Sequence, residues 1–119
     1  MIATIRLGVL HIQELQFESA IEVLARSLQI HIEFLGEDNP VVAQTHSSLG
    51  VAYLLGVHRT GFPVPFQKDI EYSASEMHLE TSLRILERAF GVDHPEVRSA
   101  KLNLYYNFNI IRVRKFFYL

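Results

Sequence analysis

The sequence predicts an all-α chain built as an array of antiparallel helix pairs, about five helices in all. Three observations carry this. Leu28-Gln-Ile30 followed by Gly36-Glu-Asp-Asn-Pro40 recurs as Leu83-Arg-Ile85 followed by Gly91-Val-Asp-His-Pro95, a register of i to i+55. The same register pairs Phe17 with Tyr72, Leu24 with Leu79, Ser27 with Ser82, Leu49 with Leu104 and Tyr53 with Phe108. Between these landmarks the apolar residues fall three and four apart, the period of an amphipathic helix.

The repeat comes first because a fixed internal period sets the architecture. A shorter relation sits inside the long one. Leu7-Gly8 and Leu49-Gly50 stand in a register of i to i+42, and His11 keeps that spacing to Tyr53. The shorter spacing is therefore the basic unit, and the longer one carries 13 extra positions. These are assigned to the stretch 57–71, where Gly61, Pro63 and Pro65 interrupt helices. From Phe17 to Leu35 the apolar positions Phe17, Ala20, Ile21, Leu24, Ala25, Leu28, Ile32 and Leu35 line one face. Gly36 ends that run, since glycine takes the left-handed conformation that closes a helix. Asn39-Pro40 then reads as an N-cap followed by proline at the first helical position. Gly91 and His94-Pro95 repeat this punctuation. Helices are expected at about 2–14, 17–35, 40–56, 70–90 and 95–111.

Composition narrows the function classes. The 119 residues are 49% hydrophobic and 20% charged, with a net charge of -2. This is a globular balance, with no global field favouring nucleic acid. Cysteine is absent, which removes disulfide frameworks, thiolate catalysis and cysteine-ligated zinc, and fits a reducing compartment. No apolar run approaches the roughly 20 residues that span a bilayer. Met1-Ile-Ala-Thr-Ile-Arg6 lacks the layout of a secretory signal. His11, His31, His46, His58, His78 and His94 include no pair three or four apart, so structural roles are expected and no metal is assigned. Glu14, Glu18 and Glu22 read as a solvated helix face. No phosphate-binding glycine loop or nucleophile-histidine-acid pattern stands out, so neither catalytic residues nor a cofactor is expected.

Leu49-Gly50-x-x-Tyr53 resembles the first-helix signature of the tetratricopeptide repeat (TPR), and Leu7-Gly8-x-x-His11 matches it with His for Tyr. Ala20-x-x-x-Leu24 and Ser75-x-x-x-Leu79 fill the second-helix positions, and Pro40 and Pro95 the proline position. Leu104-Tyr105-x-x-Phe108 departs at the small position, where Tyr105 puts a ring in place of glycine. The long 42-residue form is similar to the repeats of kinesin light chains and nephrocystin-like proteins. The resemblance implies a TPR-type α-solenoid in which Leu7, Gly8, Ala20, Leu24, Leu49, Gly50, Tyr53, Leu79, Leu104 and Phe108 pack helices together. Repeat one is expected at about 1–39, repeat two at 40–94 with the insertion 57–71, and a half repeat at 95–111. Residues 112–119 form a basic aromatic tail, and a half repeat suggests a fragment of a longer protein or a short isoform.

The resemblance further implies a non-catalytic scaffold whose concave groove, lined by the first helix of each pair, binds a protein or peptide. Gln44, Ser47, Val51, Ser99, Leu102, Asn103 and Tyr106 are its groove residues. A cargo or adaptor role, a cytoplasmic location and a cytoskeletal or ciliary association come by the same analogy. The carboxylate clamp of chaperone-binding TPRs is disfavoured, because its positions read Ile2, Arg6, Ser48, Ser99 and Asn103. The alternative to peptide binding is an oligomerisation or structural fragment, with self-association through the uncovered last helix. Two segments stay open. Phe62 and Phe66 either reach a partner from an extended, proline-held loop or pack on their own helices. The tail either continues the last helix or frays, or it touches an anionic membrane surface, the last being the less favoured.

Overall fold

The computed structural model describes the backbone of residues 2–13, 16–60 and 65–117, and the side chains of 5–12, 16–56 and 73–107. The described residues form five α-helices: α1 (Ile2–Gln13), α2 (Phe17–Leu35), α3 (Pro40–Thr60), α4 (Pro65–Phe90) and α5 (Pro95–Phe117). Each helix packs on the next in chain order. The first and third helices also touch, as do the third and fifth. The odd-numbered helices therefore form one layer of the array.

The corners between pairs are made by the same chemistry twice. Gly36 and Gly91 have φ of 86° and 85°, a conformation open to glycine and costly for a residue with a Cβ. The Gly36 N–H donates to Ile32 O and the Gly91 N–H to Glu87 O, each at 2.9 Å, satisfying a terminal helix carbonyl. Asn39 then caps α3 by accepting the Val41 N–H at its Oδ1 (2.9 Å). His94 caps α5 in the same way, accepting the Glu96 N–H at Nδ1 (3.2 Å). Each proline follows at the first helical position, where a missing N–H costs nothing.

Within a pair the helices touch through a small residue facing a large one. A Cβ added at Gly8 would lie 2.5 Å from Leu24 Cγ, and one at Gly50 would lie 2.6 Å from Leu79 Cγ. Leu24 and Leu79 are buried as a result, and each such burial contributes about 1.5–3 kcal/mol. One core cluster joins Ala20, Leu24, Leu49 and Ala52. A second joins Val42, Ala43, Ile85, Leu86, Val97 and Ala100 across the corner into α5. Directional bonds cross these contacts. The Ser75 hydroxyl donates to Gly50 O (2.7 Å) and accepts from Asn107 Nδ2 (2.7 Å), linking α4 to α3 and α5. Thr45 donates its hydroxyl proton to Val41 O (3.1 Å), so its oxygen accepts from His31 Nδ1–H at 2.9 Å. That assigns the Nδ1-protonated form to the buried His31.

Three expectations are corrected. The helix break expected over 57–71 is narrower, because α3 continues to Thr60 and α4 begins at Pro65. Pro65 starts α4, so Pro65 and Phe66 are helical where an extended, polyproline-like backbone was expected. Proline breaks a helix only when it falls inside one. Residues 61–64, with Phe62, lie outside the described residues. α5 runs through Phe117, in line with the favoured reading that the tail continues the last helix. Leu7, expected in the packing face, is 43% exposed. Its equivalent Leu49 is covered by Ala20 and Leu24 of the preceding pair, and α1 has no preceding pair among the described residues.

Candidate interaction groove

The layer of odd-numbered helices encloses a concave space of about 320 Å³. α1 contributes Ile5, α3 Gln44, Ser47 and Ser48, α4 Leu86, and α5 Glu96, Ser99, Ala100 and Asn103. The helical period explains the convergence. Gln44, Ser47 and Ser48 are three and four apart on α3, and Glu96, Ser99 and Asn103 keep the same spacing on α5. The two polar rows line one space together with the buried apolar residues Ile5, Leu86 and Ala100.

Four of the seven groove residues read from the sequence, Gln44, Ser47, Ser99 and Asn103, line this space. Gln44 and Ser99 are exposed and Asn103 is half-buried, so their polar groups reach solvent. Ser47 is committed elsewhere. Its Oγ shares a hydrogen bond with Ser82 Oγ, and that bond belongs to the α3–α4 contact. Val51 is half-buried and outside the lining. Leu102 and Tyr106 are 54% and 57% exposed on α5, also outside it. Among the clamp positions, Ser48, Ser99 and Asn103 line the space, Arg6 is exposed, and the Ile2 side chain lies outside the described residues.

The packing set divides similarly. Gly8, Ala20, Leu24, Leu49, Gly50 and Leu79 are buried, whereas Tyr53 and Leu104 are half-buried. The Phe108 side chain lies outside the described residues, as do those of Glu14, His58 and Phe66. Glu18 and Glu22 are exposed, and Glu22 pairs with Arg26 at 2.7 Å.

Two features escaped the sequence. Glu96 gives the groove its carboxylate. Its spacing of three from Ser99 and seven from Asn103 was the available signal. The other is a histidine pair between α3 and α4. His46 Nδ1 lies 2.9 Å from His78 Nδ1, and the His78 ring stacks on Tyr53 at 6.0 Å. One nitrogen must donate and the other accept, so the pair shares a single proton at this contact. Burial, the neighbouring His78 and the Arg84 charge lower the His46 pKa to about 4, and burial lowers that of His78. Partners so far apart in the chain leave no local spacing signal. Among the described residues no group of three or more His, Cys, Asp or Glu side chains is placed to hold a metal. None of their helices is long and apolar enough to cross a membrane.

A family model described as Tetratricopeptide repeat matches residues 67–96, which cover most of α4, the Gly91 corner and the first residues of α5. No curated protein matches the chain. Repeats of this family generally mediate protein–protein interaction and are non-catalytic. The matched segment and the five helices around it together make a TPR-type all-α fold.

Proposed function

We propose that the chain is a non-catalytic scaffold that binds an extended peptide segment of a partner protein in the groove between α1, α3 and α5. The observation that carries this is one concave space lined by polar rows of α3 and α5 and by the buried Ile5, Leu86 and Ala100. The side-chain amides of Gln44 and Asn103 each offer donors and an acceptor, the set that matches a peptide backbone. Ser99 adds a hydroxyl. Glu96 favours a ligand with a lysine or arginine at that point, through a charge-assisted bond. Ile5, Leu86 and Ala100 accept one small apolar side chain between the polar contacts. Leu102 and Tyr106 extend the apolar surface along α5, where an aromatic ring supplies contact area at low entropy cost. Packed helices hold these groups in place before binding, which lowers the ordering cost of the complex.

The finer identity follows from the long repeat form. Its similarity to kinesin light chains and nephrocystin-like proteins makes the ligand a cargo or adaptor segment and the location cytoplasmic, with cytoskeletal or ciliary association. Two full repeats, 1–39 and 40–94 with the insertion 57–71, and the half repeat 95–111 build the wall.

The test is selection from a random twelve-residue peptide library on the purified chain, followed by anisotropy titration of the enriched sequences. Enrichment of one basic position is the expected result. Gln44→Ala with Asn103→Ala should weaken the selected peptides by about tenfold or more, roughly 1.4 kcal/mol. Glu96→Gln should remove the basic preference. Peptides that bind the double variant as tightly as the parent chain would place the binding surface elsewhere.

A further inference from the structure

The concave groove carries Glu96 on its α5 side, and a charge of opposite sign stands on its α1 side. Two contacts give α1 and α3 the same rotation about their axes. A Cβ at Gly8 would meet Leu24 Cγ at 2.5 Å, and one at Gly50 would meet Leu79 Cγ at 2.6 Å. Positions related by i to i+42 therefore point the same way on the two helices. Ile5 and Ser47 are such a pair, and both line the groove. Arg6 is the equivalent of Ser48, which lines it too, as does Asn103 at the same place on α5. Arg6 is exposed and adjoins Ile5, which puts it at the rim on the α1 side.

The rest of this layer is nearly bare of charge. Arg6 is the one Lys, Arg, Asp or Glu among the described side chains of α1, and positions 40–56 of α3 carry none. On α5, Lys101 turns to Glu87 of α4 at 3.9 Å, and Arg98 lies outside the groove lining. Among the described residues neither Arg6 nor Glu96 takes part in an ion pair. One cation and one anion therefore mark the two sides of an otherwise uncharged wall, a field that orients a charged ligand. Arg6, Ser48 and Asn103 share one level of the array, and Glu96 lies seven residues before Asn103, about 10 Å along α5. α1 and α5 are two helix spacings apart, about 16–20 Å. The two charges are then about 20 Å apart, which an extended chain covers in about six residues.

We propose, on the basis of the groove assigned above, that the bound segment is ampholytic: its basic residue meets Glu96, and an aspartate or glutamate about six positions away meets Arg6. Each charge contributes little alone at a solvated rim. Together they fix which end of the segment lies on α1 and reject segments of a single sign. The carboxylate is a side chain within the segment, so the chain-terminal clamp of chaperone-binding TPRs stays disfavoured.

The test runs the twelve-residue library on the parent chain, Arg6→Gln and Arg6→Glu, with helicity checked by circular dichroism. Peptides selected on the parent should hold an acidic residue about six positions from the basic one. Changing that acidic residue to its amide should weaken binding to the parent about threefold and leave binding to Arg6→Gln unchanged. Selection on Arg6→Glu should place a basic residue at that position instead. Added salt should shrink the parent's preference for the acidic peptide over its amide. Parent-selected peptides with no fixed acidic position, or an acidic preference that survives Arg6→Gln, overturn this inference and leave the groove standing if Gln44→Ala with Asn103→Ala still weakens them. Peptides insensitive to that double variant, or an empty selection, overturn the groove assignment and this inference with it.

Discussion

Replacing Gly50 by alanine tests the packing logic directly. Alanine is the better helix former, by about 1 kcal/mol in an exposed helix interior. At this site the added methyl would lie 2.6 Å from Leu79 Cγ, 2.7 Å from Leu79 Cδ2 and 3.1 Å from Ser75 O. Leu79 is 1% exposed and cannot swing into solvent, and the Ser75 carbonyl is helix backbone whose own hydroxyl is bonded to Gly50 O. Relief requires α3 and α4 to separate, so a cost near the upper end of the overpacking range, about 3 kcal/mol, is expected. Subtracting the propensity benefit leaves a net loss of about 2 kcal/mol. In urea denaturation the midpoint should fall with an unchanged m-value, and Tm should drop by roughly 5–15 °C. Adding Leu79→Ala should recover part of the loss, giving a clearly non-additive pair. A neutral or stabilised Gly50→Ala would mean that the close approach of α3 and α4 is not what demands glycine there.

Three further outcomes rest on the same geometry. His46 is held neutral in the fold, with its pKa lowered to about 4 from an ordinary 6.5. Below pH 6.5 the unfolded chain binds the proton first, so stability should be level above that pH and fall as pH drops towards 4. The full shift corresponds to about 3 kcal/mol, and partial exposure screens this to about 1–2 kcal/mol. Denaturation curves across pH 7 to 4 should show this slope, and His46→Gln should flatten it. Thr45→Val removes the acceptor of His31 Nδ1–H inside the core and should cost about 1–3 kcal/mol, read from the same curves. Leu24→Ala empties the seat against Gly8 and should cost about 2–5 kcal/mol, whereas Phe34→Ala, at a residue 70% exposed, should stay within about 0.5 kcal/mol.

What was legible in the sequence was whatever the repeat states twice. The Gly36 and Gly91 corners, the caps at Asn39 and His94, and the small-to-large pairs at Gly8 and Gly50 follow from local rules and a fixed offset. The all-α class and the order of five helices rest on those. Features that break the period were less legible. Gly61, Pro63 and Pro65 read as one long interruption, because Pro65 follows Val64 and lacks the polar capping residue that marks Pro40 and Pro95 as helix starts. Leu7 and Leu49 share a register and differ in burial because only one has a covering pair on its side. The His46–His78 contact joins positions that the long offset does not relate, so no comparison of repeats would pair them. Gln44, Ser99 and Asn103 were placed by register, while the prior commitment of the Ser47 hydroxyl to Ser82 required the neighbouring helix to be seen.

The matched backbone angles at Gly36 and Gly91 reach further than the two residues themselves. Each corner sets the direction in which the next helix leaves the one before it, and both do so through a glycine at nearly the same φ. A replacement of either glycine would therefore act on the helix beyond the corner before any other. Gly91→Ala should disturb α5 and the Glu96, Ser99 and Asn103 row more than anything near α1. Hydrogen exchange that rises in α1 instead would show that the corner does not direct α5.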